Sequence, residues 1–220
     1  MSIFGKIRDR LKPEWEKPID HEKHLSELFK RTPELLRATF ANAAIVSRTT
    51  SRPTYARVEY LGEHGFHAFI WAQNMEAAAY PRFFNIVRGD SEDEDFRQFK
   101  RGQCTSFVAA NVEFLARNVY LLTNDIELID RLALETFSPN PPWIMYPDLG
   151  PLTSLNQGEP EYWEMTVWLP FWKSLAPDQR DAYIERRSID ALSYMSAEEW
   201  DDWVYATRKN DPEYRQRHGL

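Results

Sequence analysis

The sequence predicts a mainly α, multi-helix single domain, with room for a small antiparallel β-hairpin near residues 54–72. Three observations lead there. Between Asp90 and Asn124, Cys104, Val108, Val112, Leu115, Val119 and Leu122 recur at three- and four-residue steps, and Phe107, Phe114 and Leu121 widen the stripe. Helix-start signals recur: Thr32-Pro33, Ser91 with Glu94, Asn124-Asp125, and Ser196 with Glu199. Glycine is scarce, at 8 in 220 residues, which disfavours a turn-dense sandwich and Gly-rich phosphate loops.

Taken in order, Ile3, Phe4, Ile7 and Leu11 mark one face of a short N-terminal helix, and residues 1–18 comprise that helix and a connector. Asp20 is placed to cap a second helix with Leu25, Leu28 and Phe29 as its stripe. Thr32-Pro33 starts a third, which the apolar spacing carries to about Val46. Tyr55 to Leu61 alternates like a strand, Gly62 to Gly65 turns the chain, and Phe66 to Ala72 pairs back. Asn74 to Ala79 favours helix, and Phe83 to Val87 is an apolar run that periodicity does not assign.

The central helix is expected from Ser91 to Thr123-Asn124, its acidic start facing the positive end of the dipole. Asn124-Asp125 opens another helix, with Ile126, Ile129 and Leu132 inward. Residues 138–160 hold six prolines and two glycines around Trp143, Ile144, Met145 and Tyr146, which predicts a Pro/Trp-rich loop. Met165, Trp168, Leu169 and Trp172 share a face on a helix that Pro170 should kink or break. Helices follow from Pro177 to about Arg187 and after Ser196, and Asn210 to Leu220 is polar enough to fray.

Composition supports a folded core, with 43% hydrophobic residues and 14% aromatic. Charge is uneven. Residues 1–60 carry 12 Lys and Arg against 8 Asp and Glu, a net +4, and the remaining 160 carry 15 against 26, a net −11. An acidic body repels nucleic acid and favours basic protein partners. No apolar run approaches the roughly 20 residues that span a bilayer. Residues 1–12 alternate charged and apolar side chains without a signal-peptide core, and the single Cys104 excludes an internal disulfide, so the expected compartment is the cytoplasm.

Candidate chemistry is thin. His21/His24 and His64/His67 are two His-x-x-His pairs, but neither has further Cys or His nearby in sequence, and Gly65 interrupts the second beside a strand. Residues 101–110 around Cys104 resemble the helix-opening nucleophile segment of papain-like peptidases. The only downstream histidine, however, is His218 at the chain end. No Walker loop, Gly-x-Gly-x-x-Gly or Gly-x-Ser-x-Gly occurs. No catalytic, cofactor-binding or metal-binding set is therefore expected.

Asn156-Gln157-Gly158, Trp163, Trp168-Leu169-Pro170-Phe171-Trp172, Leu175 and Tyr183 together resemble immunity proteins of bacterial type VI secretion and other polymorphic toxin systems. The resemblance covers about a quarter of the chain. It implies a small acidic protein without enzymatic activity that occludes a cognate toxin. The expected contact residues are Glu92, Asp93, Glu94 and Asp95 with Trp143, Tyr146 and Asp148, the partner being a protein, with a basic toxin as one form and a homodimer left open. Two alternatives are a hydrolase using Cys104 and a membrane-surface adaptor using residues 1–12.

Overall fold

The computed structural model describes residues 21–42, 55–95, 97–153, 155 and 157–220. The N-terminal helix and connector expected at 1–18, the Asp20 cap and the polar break at 47–53 lie outside them.

The stretch expected as the central helix is β-structure. Strands β1 (Arg57–Tyr60), β2 (Phe69–Met75), β3 (Glu92–Asp95), β4 (Gln98–Arg101), β5 (Cys104–Glu113) and β6 (Ala116–Thr123) form one sheet. Its order is β1-β2-β6-β5-β4-β3, antiparallel throughout. The architecture is thus α/β rather than mainly α. The hairpin expected near 54–72 is the β1–β2 pair, Arg57 opposite Ala72 and Tyr60 opposite Phe69, at one edge of that sheet.

The reason is burial on both faces. Val108 and the β6 residues Val119 and Leu121 point into one core with Trp71, Met75 and Phe99. Phe107, Ala109 and Leu122 point into another with Leu61 and Phe66. A strand covered on both sides loses its polar alternation, and its near-continuous apolar run then matches a helical template by coincidence. Val112 and Leu115, which a central helix would have buried, are 64% and 70% exposed near the β5–β6 turn.

Helices cover both faces. Helices α1 (His21–Phe29) and α2 (Pro33–Thr39) place Leu25, Phe29 and Leu36 on the Phe107 side. Thr32 caps α2 through its side chain, which accepts from the Leu35 N–H, with Pro33 in the first turn; the helix stops at Thr39, short of Val46. Helices α3 (Tyr80–Arg88) and α4 (Ile126–Ala133) place Phe83, Val87, Leu128, Ile129 and Leu132 on the Trp71 side. The Asp125 carboxylate caps α4 by accepting from the Leu128 N–H. Residues 74–75, expected in a helix, end β2, and a 3₁₀ turn follows at Ala77–Ala79.

The acidic run is edge strand β3, and charge suits an edge that must resist pairing with other chains. Two hairpins differ in how they turn. Gly102, at φ +60°, supplies the left-handed residue between β4 and β5. Between β5 and β6 the two turn residues are Phe114 and Leu115, both at φ +52°. That is the pattern of a type I′ turn, which normally takes Asn and Gly. The carbonyl of Leu115 accepts from Asn140 Nδ2 at 3.1 Å, and the Phe114 ring packs on Tyr162.

The C-terminal half builds its own core. Helices α5 (Pro142–Met145), α6 (Gly158–Trp163), α7 (Leu169–Ser174), α8 (Pro177–Ala191) and α9 (Ala197–Arg208) enclose Trp143, Trp163, Trp168, Trp172, Trp200 and Trp203, and α10 (Pro212–His218) follows them. A π-helical stretch, Glu164–Trp168, joins α6 to α7. Pro170, expected to break a helix, sits in the first turn of α7, where its missing N–H is tolerated once the π-turn has shifted the bonding. Ser196 caps α9 through the Glu199 N–H, as its spacing predicts.

Residues 212–218, expected to fray, are helical because Asp211 anchors their start. Its buried carboxylate accepts from Trp172 Nε1 and Arg180 Nη1, each at 3.0 Å, and lies 3.4 Å from Arg208 Nε.

Two outcomes follow. Leu115→Gly relieves the left-handed strain with little loss of buried surface, Leu115 being 70% exposed, and should stabilise the fold by about 1 kcal/mol in urea denaturation. Phe114→Gly forfeits the Tyr162 contact and should bring no such gain. Asp211→Ala leaves the Trp172 indole N–H without its acceptor and takes one partner from each of Arg180 and Arg208, which keep the Trp172 carbonyl and Asp181, and the same assay should show a loss of about 2–3 kcal/mol.

Candidate functional site

The Pro/Trp-rich segment closes over a groove of about 540 Å³. Tyr146, Pro151 and Leu155 form one wall; Trp168, Trp172 and Trp203 form the floor. Prolines fix the backbone here: Pro142 opens α5 and Pro147 opens a 3₁₀ turn, Pro147–Leu149. The segment expected as a loop is therefore largely wound, with Trp143 and Met145 turned into the core.

Polar side chains are interleaved with the aromatics: Glu164, Lys173, Arg180, Lys209, Asn210 and Asp211 also line the groove. Glu164, in the π-stretch, reaches the groove half-buried, and burial raises its carboxyl pKa; Lys209 opposes the shift and the like charge of Glu161 adds to it. The Tyr146 hydroxyl and Thr207 Oγ1 are buried and have no hydrogen-bond partner among the described residues. Burial, with Glu159 nearby, likewise raises the Tyr146 phenol pKa. A groove that sets a half-buried carboxylate and two buried hydroxyls among tryptophans and the cations Lys173, Arg180 and Lys209 has the character of a recognition site.

The residues singled out in the sequence fall in three places. Trp143 is 3% exposed and packs edge-on against Trp168 and Trp200, so it supports the groove from beneath and presents no surface. Tyr146 lines the groove, and Asp148 is exposed beside it. Glu92 to Asp95 lie on β3, where much of their charge is already engaged: Arg88 holds Asp93 at 3.0 Å, Lys100 holds Glu94 at 3.3 Å and Arg31 holds Asp95 at 2.6 Å. Glu164 escaped notice because no spacing rule marks a half-buried carboxylate set among tryptophans.

Cys104 does not open a helix. It starts β5, with Sγ 3.9 Å from the Asn124 carbonyl, and burial raises its thiol pKa, with Asp125 adding to the shift against Arg101. This is the reverse of the electropositive setting that activates a thiol.

The histidines regroup. His21 stacks on His64 at 3.9 Å between ring centroids, and Glu59 joins them; His67 Nδ1 pairs with the Tyr60 hydroxyl at 2.9 Å. Burial, and then the neighbouring His64, lower the His21 pKa. The chain matches no known protein family, no curated protein and no solved structure.

Because the folded-state pKa of Glu164 lies above its ordinary value of 4.5, its ionised form weighs against the native state. That penalty is present at pH 7 and disappears once pH falls below the unfolded value. Glu164→Gln should thus be more stable than wild type at pH 7 and indistinguishable from it below pH 4.5, as urea midpoints across pH will read. Cys104 should alkylate with iodoacetamide at least about tenfold more slowly in the native protein than in urea at pH 8.

Proposed function

We propose that this protein is a non-enzymatic binding protein that neutralises a cognate protein partner by occlusion, as toxin immunity proteins do, and that the partner docks at the groove beneath the Pro/Trp-rich segment. The single observation that carries the reading is Glu164: a half-buried carboxylate in an aromatic-lined groove, its pKa raised by burial and only partly offset by Lys209, gains when a further cation meets it. A lysine or arginine of the partner, its stem against Trp168 and Trp172, meets that need.

Two further facts support it. Of the residues behind the resemblance to immunity proteins, Trp168, Leu169 and Trp172 line this groove. The net charge of −7 steers a basic partner, although the paired acids of β3 contribute less than their number implies. Among the described residues no helix is long and apolar enough to cross a membrane. The proposal places the protein in the cytoplasm.

The thiol of Cys104, held protonated on a strand, weighs against the hydrolase. The segment behind the adaptor reading, 1–12, lies outside the described residues.

The test is calorimetric titration with the protein encoded by the neighbouring gene. Glu164→Gln and Tyr146→Ala should each weaken binding at least about tenfold, and Asp148→Lys by less. Equal affinity for all three variants, with complete loss on charge reversal at 92–95, would move the contact to β3 and sink the groove.

A further inference from the structure

The two His-x-x-His pairs are each divided by the fold, and one histidine of each meets the other. His21 is the first residue of α1, Glu59 stands in β1, and His64 closes the 3₁₀ turn Gly62–His64. One donor atom from each lies within 4.8 Å of the other two. Core packing brings them together: Leu25 and Phe29 of α1 and Leu61 and Phe66 around the turn share one buried cluster. Gly65, at φ +83°, lets the chain leave the turn directly after His64.

We infer that His21, Glu59 and His64 form a binding site for a first-row transition-metal dication of the Zn²⁺ type, which clips the start of α1 to the β1 edge of the sheet. Two imidazole nitrogens and one carboxylate oxygen are a donor set for such ions, whereas Mg²⁺ and Ca²⁺ prefer oxygen alone. Tetrahedral bonds of about 2.0–2.1 Å put donors roughly 3.4 Å apart. The three groups need to close by at most about 1.4 Å, and the stacked rings, now 21° from parallel, tilt to converge. His64 is exposed and offers the way in; a water completes the fourth position.

One cation already competes. Arg57 Nη2 sits 3.0 Å from Glu59 Oε2, on a side chain 70% exposed. A surface pair of this kind is worth little, so a dication displaces it readily. The arginine nonetheless lowers metal affinity, both as a rival for the carboxylate and as a neighbouring positive charge. The clip joins segments far apart in sequence and ties down a helix that the described structure otherwise holds on the sheet through its Leu25 and Phe29 face.

The experiment uses the full chain, stripped with a chelator and titrated with Zn²⁺ against a chromophoric competitor. One Zn²⁺ per chain is expected. His64→Gln and Glu59→Gln should each weaken it at least about tenfold, Arg57→Gln should tighten it several-fold, and His24→Gln and His67→Gln should leave it unchanged. Equimolar Co²⁺ with the unmutated chain should give the intense visible bands of four- or five-coordinate cobalt, a readout that needs no variant to fold. Only the pale spectrum of the hydrated ion, or an affinity that follows His24 or His67 and ignores His64 and Arg57, overturns the site.

Discussion

The layering around the sheet follows from the buried stretches of strands β5 and β6 being apolar on both sides. Neither face can meet water, so each needs a helical layer. The chain supplies α1 and α2 before the sheet for one face, and α3 and α4, inserted between and after strands, for the other. Fully covered strands are usual in parallel sheets; here the same burial occurs in an antiparallel one. The strained Phe114-Leu115 turn is tolerable in that setting, because the pairing of β5 with β6 is over-determined by two cores and a hydrogen bond from Asn140.

The C-terminal helices form a second body of packing, fused to the sheet by few but specific contacts. The Tyr55 ring meets Phe171 edge-on at 5.1 Å. Arg187 of α8 pairs with Glu76, whose carboxylate also accepts from Ser138 at 2.9 Å. The π-stretch matters here as much as the aromatic residues do: it begins at Glu164, shifts the register of the residues that follow and lets the chain absorb Pro170. Asp211 then ties α7, α8 and α9 to the last helix, which explains why a polar tail is ordered.

Local signals were legible and tertiary ones were not. Thr32, Asp125 and Ser196 cap helices where spacing placed them, because a cap is a contact between residues three apart. Ser91 with Glu94 has the same spacing, yet it leads into a strand that pairs with Lys100 and Phe99, partners the local sequence does not reveal. The β5–β6 hairpin carried no Asn-Gly to announce it, so a run of helical period swallowed the turn. The Pro/Trp-rich segment was recognisable as special, but which of its aromatics face outward depended on packing: Tyr146 reaches the groove and Trp143 does not. The histidine pairs were visible, while the pairing between them required the fold to bring residue 21 to residue 64.

Six of the eight tryptophans sit in the C-terminal cluster, several within stacking or edge contact of one another, whereas Trp71 belongs to the sheet. Intrinsic emission from this protein is therefore dominated by one half of the molecule, with energy transfer among close indoles blurring any single ring. A fluorescence-monitored melt reports the loss of the helical half and is nearly blind to the sheet. Far-ultraviolet dichroism or the isolated signal of Trp71 would be needed to learn whether the two halves come apart together.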